Sequence, residues 1–172
     1  MIRSVRGFIF LSFMLSWLAV PSAYSKPADI ANNLVRYSNG KFKPVSGMYL
    51  TSAKYVAYYY SAYWCPPCRE FAPELVTFYN QMKATHGDAF ELIFISGDHS
   101  EWQMALSMGK HHVPWPALDF KKRNSNTVVK HAAQGMPYLV VLDKMGNEIL
   151  GKGTEDWIHP EDLLPRIKQL PL

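Results

Sequence analysis

Cysteine is scarce in this chain, which has 172 residues and only two cysteines. A framework of several disulfides is therefore excluded, and at roughly 150 residues a fold buries about two-thirds of its unfolded surface and stands on its hydrophobic core. An excess of one charge is also lacking. The net charge of +4 comes from 18 Lys and Arg against 14 Asp and Glu, and without Arg3 and Arg6 the balance is 16 against 14. That is too mild to imply a nucleic-acid partner. With 48% hydrophobic and 19% charged residues the chain is neither a disordered polyelectrolyte nor a fibre. No repeat or linker interrupts it, so one ordinary domain is expected.

Residues 1–25 lack Asp and Glu, carry Arg3 and Arg6, and run apolar from Gly7 to Val20. That run of 14 residues falls short of the roughly 20 needed to cross a bilayer and has the layout of a secretory signal peptide. Ala23 and Ser25 are small residues placed for cleavage before Lys26, which would leave 26–172 as the functional domain. A retained anchor is the alternative. No Cys closes the apolar run, so no lipoprotein attachment is expected. Export places both thiols in an oxidising compartment, and the absence of any Asn-X-Ser/Thr leans toward a periplasm over eukaryotic secretion.

The pattern of the remaining chain predicts an α/β domain. Leu34–Tyr37 and Lys41–Val45 flank Asn39-Gly40, a dipeptide suited to a two-residue hairpin turn. Val56–Ser61, Leu92–Ser96 and Tyr138–Leu142 are apolar runs without alternation, as in strands covered on both faces. Helical spacing marks Arg69–Ala84, and Ser100–Lys110 begins at a capping Ser. Pro114, Pro116 and Lys121–Asn126 read as loop, with a short helical segment to His131; Glu148–Gly151 is a last strand, and Pro160–Gln169 a last helix. The expected architecture is a central mixed β-sheet with helices on both faces, opened by an N-terminal β-hairpin.

Trp64-Cys65-Pro66-Pro67-Cys68 falls where the first buried strand gives way to its helix. A structural staple here would close a loop so short that it removes only about 2 kcal/mol of chain entropy, against about 3 for a 15-residue loop. Zinc needs four ligands, and no second Cys pair exists. Haem attachment through Cys-X-X-Cys needs a following His, and Arg69 stands there. A redox dithiol is the preferred reading. Its attacking species is a thiolate, which a helix N-terminus stabilises through unpaired N–H groups. Cys65 is then the exposed nucleophile and Cys68 the shielded resolving thiol. Because Pro66 and Pro67 cannot donate, the N–H expected at the Cys65 sulfur is that of Cys68.

The block Tyr60-Ser61-Ala62-Tyr63-Trp64-Cys65-Pro66-Pro67-Cys68-Arg69, with Phe71-Ala72-Pro73, Phe90–Asp98, Pro114-Trp115 and Gly135-Met136-Pro137, resembles the thioredoxin fold and within it the tryparedoxin and nucleoredoxin branch. The resemblance spans about Leu34 to Gln169. It implies a thioredoxin-like fold, a cis Pro137 facing the dithiol, and a Met136 backbone that pairs with an extended substrate segment. Pro73 is expected to kink the first helix, as it does in relatives. One position departs from the pattern. Thioredoxins commonly bury an Asp six residues before the nucleophile, where this chain has Tyr59, a poor base at neutral pH. Asp98 is a candidate for the proton transfer, with helix capping or a turn as its alternative role.

Trp64 is expected to be partly exposed beside the dithiol and, with Pro66, Pro67, Met136 and Pro137, to form the substrate-binding surface. Trp115 is open between that rim and the core. His99, His111 and His112, near Trp102, read as solvated, Tyr58-Tyr59-Tyr60 as core, and Lys121-Lys122-Arg123 as an exposed loop. The functional expectation is an exported, monomeric thiol-disulfide oxidoreductase that needs no cofactor beyond its own cysteines and no metal. Its partners would be protein disulfides or dithiols and a membrane or soluble electron donor. Two alternatives remain: a secreted binding or holdase module with a static disulfide, and a thiol peroxidase on the same fold.

Overall fold

The computed structural model describes residues 26–151 and 158–172, so the expected signal segment lies outside the described residues. The hairpin is present. Strand β1 (Leu34–Ser38) pairs antiparallel with β2 (Lys41–Pro44), and Asn39 and Gly40 both take positive φ, 50° and 76°, as a right-twisted two-residue turn requires.

Strand β3 (Tyr55–Ser61) leads into helix α1 (Pro66–His86), which is followed by β4 (Phe90–Ser96) and helix α2 (Glu101–Lys110). A two-residue strand β5 (Ala117–Leu118), the four-residue helix α3 (Asn126–Val129), β6 (Tyr138–Asp143), β7 (Glu148–Leu150) and α4 (Pro160–Lys168) complete the described chain. The seven strands form one sheet in the order β2-β1-β5-β4-β3-β6-β7. Strand β3 is parallel to β4 and antiparallel to β6, so the sheet is mixed. Its central strands are buried on both faces, which explains their unbroken apolar sequences.

Alternation along β3 divides the core. Ala57 and Tyr59 face α1, α2 and α4 with Leu75, Phe78, Met104 and Leu163, whereas Val56, Tyr58 and Tyr60 face the 3-10 turns Pro27–Asn33 and Met48–Thr51 and Val128 of α3. The Tyr58-Tyr59-Tyr60 run thus serves both layers. Each fully buried Leu, Ile or Phe of β4 contributes roughly 1.5–3 kcal/mol through its removal from water.

Helix α1 starts three residues before the apolar periodicity begins, because Pro66 and Pro67 occupy its first turn, where a missing N–H costs nothing. Lys83 and His86 complement its C-terminal dipole, and Gly87 follows at φ 55°. Pro73 lies inside the helix, where it withholds the N–H that the Arg69 carbonyl would otherwise accept. Strand β5 was not anticipated, since two residues carry no readable period. It ties the hairpin to the sheet by pairing with both β1 and β4. At the opposite end of β4 from the dithiol, Glu91 is buried but well partnered. Tyr79 Oη and the Leu92 N–H donate to it at 2.8 and 2.9 Å, and Lys83 Nζ lies 3.5 Å away.

Candidate active site

The turn from β3 into α1 carries both cysteines, joined as a disulfide. Cys65 is the N-cap of α1, and its Sγ accepts the Cys68 N–H at 3.3 Å, the donor left once Pro66 and Pro67 have none to give. The Met136–Pro137 peptide bond is cis, and the Met136 carbonyl oxygen stands 3.7 Å from Cys65 Sγ. The strand-to-helix turn and the loop before β6 are thereby brought together, although they are about 70 residues apart in sequence.

Cys65 is not the exposed thiol that its sequence position suggests. It is 4% exposed and Cys68 2%. Met136 packs on Ala62 and the two cysteines, so the loop before β6 covers a sulfur that a bare helix terminus would leave open. Access is lateral. Cys65 lines one wall of a groove of about 480 Å³ with Trp64, Pro66, Pro67, Gly97 and Met136. Trp64 is 45% exposed; its indole N–H donates to the Gly97 carbonyl at 3.3 Å, and its ring stacks on His99 with centroids 5.6 Å apart and planes 9° off parallel. His99 is exposed, as expected, and its ring also supports Trp64. Gly97 fits closely under the groove. A Cβ at that position would lie 2.7 Å from Met136 Sδ and 2.8 Å from its Cε.

The turn itself is held from outside. The Tyr63 N–H donates to Asp98 Oδ1 at 2.7 Å, and Arg69 Nη1 donates to the Tyr63 carbonyl at 2.6 Å. Asp98 also accepts from Ser96 Oγ at 2.9 Å. It does not cap α2, whose first turn is capped by Ser100 Oγ accepting the Gln103 N–H at 3.2 Å. Burial raises the Asp98 pKa, while the bonds from Tyr63 and Ser96, a contact with Ser107 and the nearby His99 partly oppose the rise. Asp98 thus reaches the dithiol turn through the backbone of Tyr63.

Behind Cys68 lies a small cavity. Tyr59, Ser61, Ala62, Arg69, Ser107 and His111 are among the residues that line it together with Cys68. The Tyr59 hydroxyl donates to the Cys68 carbonyl at 3.3 Å, and burial pushes its pKa up to about 12. His111 is half-buried with its Nε2 shielded from solvent and unbonded. The reading of His111 as solvated is therefore corrected, because α2 folds its end back over the start of α1. Trp115 is fully buried against Tyr59 and Tyr79 at centroid distances of 6.3 and 5.2 Å, so it belongs to the core and not to the substrate rim. His112, at φ 50°, turns the chain after α2, and Trp102 is exposed. Lys121 and Lys122 are exposed, and Arg123 is partly buried with its guanidinium 3.7 Å from the Phe120 ring centroid.

Comparison with known proteins agrees with this geometry. A family model described as thioredoxin-like matches residues 53–148. Nucleoredoxin of Bos taurus is 36% identical over 135 residues, 77% of this chain and 29% of the relative. Probable nucleoredoxin 1 of Arabidopsis thaliana is 36% identical over 124 residues, covering 68% of this chain and 21% of its own length. The chain thus spans less than a third of the curated relatives it matches. Among solved structures, thioredoxin from Wuchereria bancrofti superposes with a TM-score of 0.59 at 32% identity, over 82% of this chain and 98% of that one. Tryparedoxin I from Leishmania major gives 0.60 at 27% identity, over 82% and 92%.

Proposed function

The chain belongs to the thioredoxin-like family, and from that premise we propose that it is a thiol-disulfide oxidoreductase that exchanges disulfides with protein substrates through Cys65 and Cys68. The observation that carries this reading is the Cys68 N–H donated to Cys65 Sγ at the start of α1, beside a groove that Cys65 itself lines. A donor held there lowers the cost of a negative sulfur, and the end of the helix dipole adds to it.

In the reducing direction the Cys65 thiolate attacks one sulfur of a client disulfide, and the other client sulfur leaves as a thiolate. Cys68 loses its proton and attacks Cys65 Sγ. That step forms the Cys65–Cys68 bond, breaks the mixed disulfide and releases the reduced client, which has gained two electrons. The Cys65–Cys68 pair has lost those two electrons, so a dithiol electron donor, soluble or membrane-bound, must restore them. The protein supplies the redox group itself and needs no added cofactor. Trp64, Pro66, Pro67 and the Met136–Pro137 segment are the surface offered to the client.

The test is turnover of insulin disulfides, and oxidation of a reduced test protein, by residues 26–172. Activity that Cys65→Ser abolishes is expected; no activity in either direction sinks the reading. A reduction potential between about −120 and −270 mV fits an exchanging dithiol, and one below about −300 mV fits the static bond of a binding module. Export and cleavage after Ser25 belong to the same proposal. Their support is the acid-free, apolar composition of residues 1–25, and the mass of the chain recovered from a cell envelope tests them. A single copy is expected to act, which sedimentation of the purified protein checks.

A further inference from the structure

We propose that His111 accepts the proton of Cys68, through one water in the cavity behind it, when the resolving thiol ionises. This rests on the exchange reading above. Resolution needs a Cys68 thiolate, yet Cys68 is only 2% exposed, so bulk water has little access to its sulfur. The proton must leave through the groups that surround it.

Tyr59 is the first candidate and fails. Its O–H already donates to the Cys68 carbonyl, and a phenol pushed up to about 12 gains no proton-accepting form near neutral pH. Asp98 does not line the cavity, and its carboxylate is already engaged by the Tyr63 N–H and the Ser96 hydroxyl. Ser61 and Ser107 can pass a proton but not keep one. His111 remains. It shares the cavity wall with Cys68, and its Nε2 is shielded from solvent without a hydrogen bond, in a protein where buried polar atoms are normally paired. The cavity, of about 10 Å³, is near the smallest that holds one water.

The charges around His111 suit a transient acceptor. Burial first, then Lys110 on its own helix, Arg69 on α1 and the adjoining His112, all disfavour an imidazolium, so the ring is neutral near pH 7 and holds a lone pair. Tyr59 and Ser61 face it from β3 without charge, and Asp98 reaches the same wall through Ser107. With the ring proton on Nδ1, Nε2 presents the lone pair. The Cys68 S–H bond breaks toward the water, the water passes a proton to Nε2, and the Cys68 electron pair forms the bond to Cys65. The imidazolium then returns its proton to solvent as the client thiolate departs.

Stopped-flow reaction of the reduced protein with 5,5′-dithiobis(2-nitrobenzoate) separates the two steps. The first nitrothiobenzoate is released by Cys65 and the second by Cys68. In His111→Gln the second phase is expected to slow about 100-fold at pH 7, within the range of general-base effects. The first phase should change by less than roughly twofold. The defect should shrink as the pH is raised to about 10, where hydroxide competes with the imidazole as the base. Equal second phases, a defect unchanged at pH 10, or a defect in Asp98→Asn without one in His111→Gln each overturn the assignment. His111→Asn serves if the Gln variant does not fold. Imidazole ¹⁵N shifts of the reduced wild-type protein give a reading without substitution: a neutral ring protonated on Nδ1 at pH 7 is expected, and a charged or Nε2-protonated ring overturns it. A wild-type protein with no first phase fails the exchange reading instead, so the two failures are distinct.

Discussion

Cys65 and Cys68 are 5.3 Å apart by their Cα atoms, yet they face different surroundings. Cys65 meets a groove of about 480 Å³ edged by Trp64, the two prolines and Met136. Cys68 backs on a narrow cavity of about 10 Å³ whose wall includes a phenol, two hydroxyls and an imidazole. The front has room for a polypeptide but offers few proton carriers, and the back has proton carriers but no room for a client. A sulfur that must be reached and a sulfur that must be deprotonated are thus served by separate environments within one helical turn.

Removing the sulfur from each side breaks the comparison most severely. Cys65→Ser is expected to abolish insulin reduction and to leave no first equivalent of thiol release. Cys68→Ser should keep the first equivalent and accumulate mixed disulfides, which mass spectrometry of the trapped protein detects. Trp64→Ala acts on the front alone. Loss of one aromatic contact, worth about 0.5–1.5 kcal/mol, should lower kcat/KM for a protein client by up to about tenfold. The second phase with the small aromatic disulfide should stay unchanged, because Trp64 does not line the rear cavity.

Asp98 supports the turn between the two sides, and its effect is read through pH. Burial raises its pKa, so the folded protein holds this proton more tightly than the unfolded chain does. Stability from this group is complete below the unfolded value near 3.9, falls as pH rises through the folded value, and then stays flat. Asp98→Asn cannot ionise, and its urea midpoint relative to wild type should climb across that window. A difference that is constant from pH 3.5 to 8 refutes the assignment. The smallest effect on exchange belongs to the far end of β4. Tyr79→Phe removes the hydroxyl bond to Glu91 and should cost about 1 kcal/mol in urea unfolding while exchange rates stay the same.

Much of the fold was legible because strands buried on both faces and one long amphipathic helix leave strong patterns. The hairpin turn, β3, β4, β6 and α1 all lie where periodicity and turn chemistry place them. The Cys68 N–H at Cys65 was also readable, since two prolines leave the adjacent amides no other choice. What failed to show were properties that depend on contacts between distant segments. Trp115 sits between prolines that look like loop, but Tyr59 and Tyr79 close over it from two other elements. The Cys65 sulfur is covered by Met136. His111 carries no ligand-like spacing, and its place beside Cys68 comes from the path of α2 across the start of α1.

Gly97 has a practical consequence for anyone who would transplant this chemistry. The Met136 thioether rests where any side chain at position 97 would begin, and Met136 in turn roofs the reactive sulfur. Copying Trp64–Cys68 into another scaffold would therefore carry the reagent without its lid. A graft has to import the bare backbone after β4 as well, or the imported cysteine will sit beneath a misplaced ceiling.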